Sequence, residues 1–172
     1  AQGFHCIKMK IGAIDFDTEY QLLKNIRQEY APSDIELRVD ANGAFSPLEA
    51  LEKLKRLADL QIHSIEQPIR AGQYEQMARL CEASPLPIAL DEELIGITCE
   101  KRKEEMPKII KPAYIILKPS LIGGYKGSEE WITLAQEQGV GWWITSALEG
   151  NVGLSAIAQW TYTLGNPMPQ GL

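Results

Sequence analysis

The sequence predicts an α/β protein built as a parallel (β/α) barrel, here of about six βα units, and three observations carry that reading. Short apolar runs alternate strictly with amphipathic helical stretches along the 172 residues, the pattern of parallel strands joined by right-handed crossovers. Each strand candidate ends on a polar or charged residue: Lys10, Asp40, Glu66, Asp91, Lys118 and Ser146, at spacings of 30, 26, 25, 27 and 28 residues. Parallel βα proteins place their chemistry at that end of the strands. Six such tips ring one mouth in a barrel, where consecutive strands are neighbours. A doubly wound sheet reverses its strand order and would spread them along an edge.

The elements follow in order. "FHCIKMK" (4–10) alternates as a strand and puts Lys8 and Lys10 on one face. Phe16, Tyr20, Leu23, Ile26 and Tyr30 then mark a helical stripe. After the strand "IELRVD" (35–40), "SPLE" (46–49) is a capping box: Ser46 caps, proline takes the first helical position and Glu49 reaches back. Leu48, Leu51, Leu54 and Ala58 are expected as that helix's buried face. The strand "IHSIEQ" (62–67) precedes a helix marked by Tyr74, Met77 and Cys81, and "PIALDE" (87–92) is the fourth strand. The charged, weakly periodic stretch 98–111 reads as a short or irregular helix. "YIILKPS" (114–120) leads to a helix started by Ser128, carrying Trp131, Leu134 and Ala135, and stopped by Gly139. In the last strand, "GWWITS" (141–146), Trp142 and Trp143 must face opposite sides, one to the barrel and one to the helices. A final helix covers about 152–164, ending before Gly165.

A full barrel takes about 250 residues. Residues 1–172 therefore read as a single barrel-domain fragment, the second to seventh of eight units, with the tail "NPMPQGL" stopping where a further strand should begin.

Composition narrows the function. Hydrophobic residues make up 45% and charged residues 23%, the balance of a soluble globular protein. A net charge of −6 gives no electrostatic reason for a nucleic-acid or membrane partner, and no apolar run nears the ~20 residues of a membrane span. Cys6, Cys81 and Cys99 are far apart and odd in number, which argues for a reducing cytoplasm rather than a disulfide framework or zinc site.

The strand tips carry the candidate chemistry. Asp40, Glu66 and Asp91 each follow an apolar run, and three buried carboxylates on adjacent strands repel one another unless a cation lies between them. Hard oxygen ligands of this kind suit Mg²⁺, with Mn²⁺ as a substitute, and leave room for a substrate carboxylate. Any one of these acids could simply cap a helix; three at matching positions argue against that. Lys10 and Lys118 flank the trio and read as an acid/base pair, a second cation and the metal lowering a lysine's pKa towards neutrality. His5 and His63 fall on faces away from the lysines and glutamate and read as packing residues. "GGYKGS" (123–128) lacks phosphate-loop spacing, and there is no nucleophilic serine or cysteine motif.

Taken in order, "KMK", "VDAN", "IEQP", "ALDE" and "LKPS" resemble the barrel of the enolase superfamily, in its muconate-lactonizing branch. Within it, "RVDANGAFSPLEALEKLKRLADLQIHSIEQPI", "IALDEELIG", "YIILKPSLIGGYKGSEEWI" and "GWWITSALEGNVGLSAIAQW" are similar to the o-succinylbenzoate synthases of the Bacteroidetes type. The resemblance implies that Asp40, Glu66 and Asp91 bind Mg²⁺, that Lys10 is the general base, and that Lys118 faces it across the substrate. Lys8 would keep Lys10 reactive or touch the substrate carboxylate. Asn42 and Glu92 would stand as pocket or outer-shell residues, and Ser146 and Glu149 would line the pocket for a succinyl side chain. The implied reaction is dehydration of 2-succinyl-6-hydroxy-2,4-cyclohexadiene-1-carboxylate to o-succinylbenzoate, towards menaquinone, by proton abstraction α to a carboxylate and a metal-stabilised enediolate. The N-terminal capping domain of relatives is absent from this stretch, and Gly150 stands where relatives suggest a serine. The same residue set also serves N-succinylamino acid racemases, dipeptide epimerases and muconate cycloisomerases. A reading from another class is a non-catalytic barrel fragment whose open edges pair with another copy, a homo-oligomer.

Overall fold

The computed structural model describes residues 3–172. Six strands, β1 (Cys6–Lys10), β2 (Glu36–Asp40), β3 (Ser64–Glu66), β4 (Ile88–Leu90), β5 (Tyr114–Leu117) and β6 (Gly141–Ile144), form one parallel sheet in chain order. That order excludes a doubly wound sheet and gives half of a barrel. Beyond β6, Gly171 makes a parallel bridge to Thr145, its N–H donating to the Ile144 carbonyl at 2.9 Å. The helices are α1 (Phe16–Glu29), α2 (Pro47–Ala58), α3 (Tyr74–Ala83), α4 (Glu100–Ile110), the single turn α5 (Pro119–Ile122), α6 (Gly124–Glu137) and α7 (Asn151–Thr163).

The alternation of each strand separates two environments. Leu37, Val39, Ile65, Leu90, Ile115, Leu117 and Ile144 face the helices and are almost fully buried against them, each contributing about 1.5–3 kcal/mol of hydrophobic stabilisation. The opposite, inner face carries the polar tips and, below them, a small apolar layer of Ala89, Ile116 and Trp143. Trp142 lies in the helix-side core and Trp143 in that inner layer, as adjacent strand positions require.

Three local expectations change. Of the expected face of α2, Leu54 is buried and Leu51 and Ala58 pack against the core, but Leu48, in the first turn, is 97% exposed, and Ala50 and Leu57 complete the buried stripe. Within 98–111 a single 11-residue helix spans Glu100–Ile110, with Pro107 inside it; its period is hidden in the sequence because the buried stripe includes Lys103, whose ammonium is paired with Glu130 at 2.7 Å. Ser128 does not start α6 but lies one turn inside it, its hydroxyl donating to the Gly124 carbonyl at 2.8 Å.

Gly141 sits on the inner face, and a Cβ there would stand 2.5 Å from Tyr114 Cδ1. The tyrosine ring cannot retreat freely, being stacked on His63 at 5.1 Å and tilted against Trp143 at 5.4 Å. Gly141→Ala is therefore expected to destabilise the fold by about 1–3 kcal/mol, read as a lowered urea midpoint with an unchanged slope. His63 packs, as expected, but on the inner side of the sheet; His5 is exposed.

Candidate active site

Period-two alternation places Lys8 and Lys10 on the face shared by Asp40 and Glu66, and the strand register sets Lys10, Asp40 and Glu66 level with one another. Glu66 pairs with Ala89 and Leu90 with Ile115, so Asp91 and Lys118 stand further along their strands, the stagger of tilted barrel strands.

The carboxylates are almost fully buried: Asp40 is 1%, Glu66 2% and Asp91 1% exposed. Lys8 Nζ donates to Glu66 Oε2 at 2.7 Å and to Asp40 Oδ2 at 3.3 Å. Lys10 Nζ donates to Asp40 Oδ2 at 2.9 Å and to Asn42 Oδ1 at 2.6 Å. Lys118 Nζ pairs with Asp91 and lies 3.9 Å from Glu66 Oε1. Three ammoniums thus meet three carboxylates on one face, which is how the interior tolerates both.

Burial pushes the Glu66 carboxyl up to about 8; Asp40 and Asp91 add to the rise and Lys8 opposes it. Burial alone would lower the Lys8 pKa, but Glu66 and Asp40 outweigh it and hold the ammonium above its ordinary value.

Among the described residues the acids do not close into a ready-made ligand shell, each being drawn to a lysine. Their chemistry nevertheless fits a hard divalent cation: buried oxygen donors on neighbouring strands, with Glu66 Oε1 a buried atom lacking a hydrogen-bond partner.

Asn42 and Glu92 join this cluster. Asn42, at φ 44°, accepts from Lys10 and donates through Nδ2 to Glu92 Oε1 at 3.0 Å. Ser146 and Glu149 stay on the rim. Glu149 accepts from Ser120 Oγ at 2.7 Å and from the Ala147 N–H at 2.6 Å, while the Ser146 N–H donates to the Gly171 carbonyl at 3.3 Å. Gly150 occupies the N-cap of α7 without a capping side chain, the position where a serine hydroxyl would accept a helix N–H.

Three residues of the site escaped sequence reasoning. Gln67, fully buried at φ 40°, accepts the Asp91 N–H at 3.2 Å, donates to the Ile69 carbonyl at 2.9 Å, and takes the Gly43 N–H on its own carbonyl at 2.7 Å. Glu93, 4% exposed, accepts the Gly72 N–H at 2.9 Å. Together they fix the loop that presents Asp91. Arg38 lies below Asp40 with its guanidinium 4.1 Å from the Trp143 ring centroid and Nε donating to Glu36 at 2.7 Å. Only Arg38 had a legible signal, since it shares the Asp40 face by alternation. A cavity of about 510 Å³ runs along this inner face, lined among others by Cys6, Lys8, Arg38, Trp143 and Gln170.

Known proteins carry the same architecture. An o-succinylbenzoate synthase of Desulfotalea psychrophila is 59% identical over 172 residues, covering all of this chain and 46% of that protein. An N-succinylamino acid racemase of Thermus thermophilus is 33% identical over 152 residues, 88% of this chain and 39% of the relative. The crystal structure of MenC from Desulfotalea psychrophila superposes with a TM-score of 0.95 at 56% identity, over 99% of this chain and 47% of that one. The chain thus spans about half the length of the relatives it matches. The family model for enolase C-terminal domain-like proteins matches residues 1–171, and with six parallel strands bearing lysines and acids on their inner tips, the chain belongs to that family.

Proposed function

We propose that this chain forms the catalytic half of an o-succinylbenzoate synthase, a carbon–oxygen lyase that dehydrates 2-succinyl-6-hydroxy-2,4-cyclohexadiene-1-carboxylate in menaquinone synthesis. The observation that carries the substrate assignment is the 59% identity, sustained over all 172 residues, to the Desulfotalea protein of that name. The class of chemistry is supported by the Lys10–Asp40–Glu66–Asp91–Lys118 face itself.

Lys10 is the better base of the β1 pair. Its side chain is 69% exposed against 34% for Lys8, so its amine reaches the mouth, while Lys8 is held charged by two carboxylates. In the reaction, the neutral Lys10 amine takes the proton from the carbon α to the ring carboxylate. The electron pair left behind forms the ring double bond as the C–OH bond at the adjacent carbon breaks. The Lys10 ammonium then returns its proton to the departing hydroxyl, and water leaves. Lys118, on the far side of the acids, places a fixed positive charge against the anion that develops. Lys8 offers a second one to a carboxylate of the substrate. Asp40, Glu66 and Asp91 would hold Mg²⁺ or Mn²⁺, which when bound supplies positive charge to the carboxylate whose α-carbon is deprotonated. Three free cysteines far apart in the chain support a cytoplasmic setting.

The deciding assay uses the full-length protein with each substrate separately: the cyclohexadiene carboxylate, followed by the absorbance of the aromatic product, and an N-succinylamino acid, followed by optical rotation. Dehydration is expected to be the faster reaction. Racemisation alone would overturn the substrate assignment, and activity on neither would overturn the enzymatic one.

A further inference from the structure

The residue that holds the tip of β1 in place lies on a helix, outside the mouth. Glu19, in the first turns of α1, is 3% exposed. Its carboxylate accepts the Gly12 N–H at 2.8 and 2.9 Å, the Ala13 N–H at 3.1 Å and the Ile14 N–H at 3.3 Å. These are three consecutive amides of the loop that follows Lys10. A buried carboxylate is tolerated when several N–H groups point at it, and loop amides left unpaired away from water are costly in turn. Each therefore fixes the other.

The clamp is continuous with the turn that carries Asn42. Ile11 is buried and donates its N–H to the Asp40 carbonyl at 2.8 Å. Gly12, at φ 92°, lies so close to the next loop that a Cβ would collide with Ala44 Cβ. The Ala44 N–H in turn closes the turn onto the Ala41 carbonyl at 2.9 Å, and Asn42 within that turn accepts from Lys10 Nζ. Loop 12–14 and turn 41–44 are thus pressed together backbone to backbone, with Lys10 and its acceptor on either side of the contact.

We propose that Glu19 is a positioning residue for Lys10. By tying down loop 12–14 it locks the end of β1 against turn 41–44, and so fixes the ammonium beside Asp40 and Asn42. The catalytic consequence rests on the reading of Lys10 as the base; the clamp itself does not.

The test compares Glu19→Ala and Glu19→Gln with wild type in the full-length protein. Hydrogen exchange reads the amides of residues 12–14, amine-specific labelling followed by peptide mass reads Lys10 without substrate, and steady-state kinetics read turnover. In Glu19→Ala the three amides are expected to lose protection, Lys10 to label several-fold faster, and kcat to fall by about 10²-fold with KM changed by no more than about twofold. Glu19→Gln, which keeps one acceptor oxygen and nearly the same shape, should fall between. Unchanged exchange in Glu19→Ala would overturn the clamp. A lowered melting temperature with Lys10 labelling and kcat per folded molecule unchanged would overturn the positioning role. A wild type that does not dehydrate the cyclohexadiene carboxylate would instead count against the functional reading, and exchange and labelling would still decide the role of Glu19.

Discussion

Lys10→Ala is expected to lower kcat for dehydration by about 10²–10⁴-fold, the contribution of a positioned general base, while divalent-cation affinity is kept or improved. The two readouts separate because Lys10 contacts the acids without being one of them. Its ammonium donates to Asp40 and Asn42, so its removal takes one positive charge away from the carboxylates and leaves all three in place. Calorimetric titration with Mg²⁺ alone checks the affinity, and the absorbance assay checks turnover. Lys10→Arg should fare little better than alanine, since a guanidinium stays protonated and cannot accept the proton. Turnover close to wild type in Lys10→Ala would remove Lys10 from the mechanism.

Glu66→Gln is expected to work the other way round. Loss of this carboxylate should weaken Mg²⁺ binding by more than about 10²-fold, beyond the 10–100-fold typical of losing an outer-shell partner. In the cation-free protein the same substitution should hold or raise the unfolding midpoint. Burial first, and the neighbouring Asp40 and Asp91 after it, push the Glu66 carboxyl up to about 8; an amide of equal size has no charge to desolvate or repel. It gives up the contact with Lys8, but that lysine is one-third exposed and can turn to water. Wild-type Mg²⁺ affinity in Glu66→Gln would contradict its place among the ligands.

How much of this was legible depended on what each residue is paired with. Alternation in "IKMKI" and "LRVD" fixed which side chains share a face, and strand periodicity gave the order in which the tips appear. The register then placed Lys10, Asp40 and Glu66 level, as a ring of tips demands. Groups satisfied by backbone were invisible. Glu19 resembles any acid in the first turn of a helix, where the dipole favours it, and its three amide partners leave no trace in the sequence. Gln67 is hidden for the same reason, its partners being the Asp91 N–H and the Ile69 carbonyl. Lys103 misled because a lysine in a helical stripe normally marks the solvent side, whereas here Glu130 and the Trp131 face receive it. The ion pairs of the mouth were also beyond reach, since which ammonium meets which acid depends on strand stagger.

Strand order carries a consequence for how the chain assembles. Each strand pairs with the one made just before it, so every new βα unit meets a finished edge as it leaves the ribosome. None of these six strands has to wait for a distant one to pair with, as a doubly wound order would require. Synthesis and folding can advance in step, N-terminal units first. Lys8, Lys10, Asp40 and Glu66 are then in place within the first three units, before Asp91 and Lys118 have been translated.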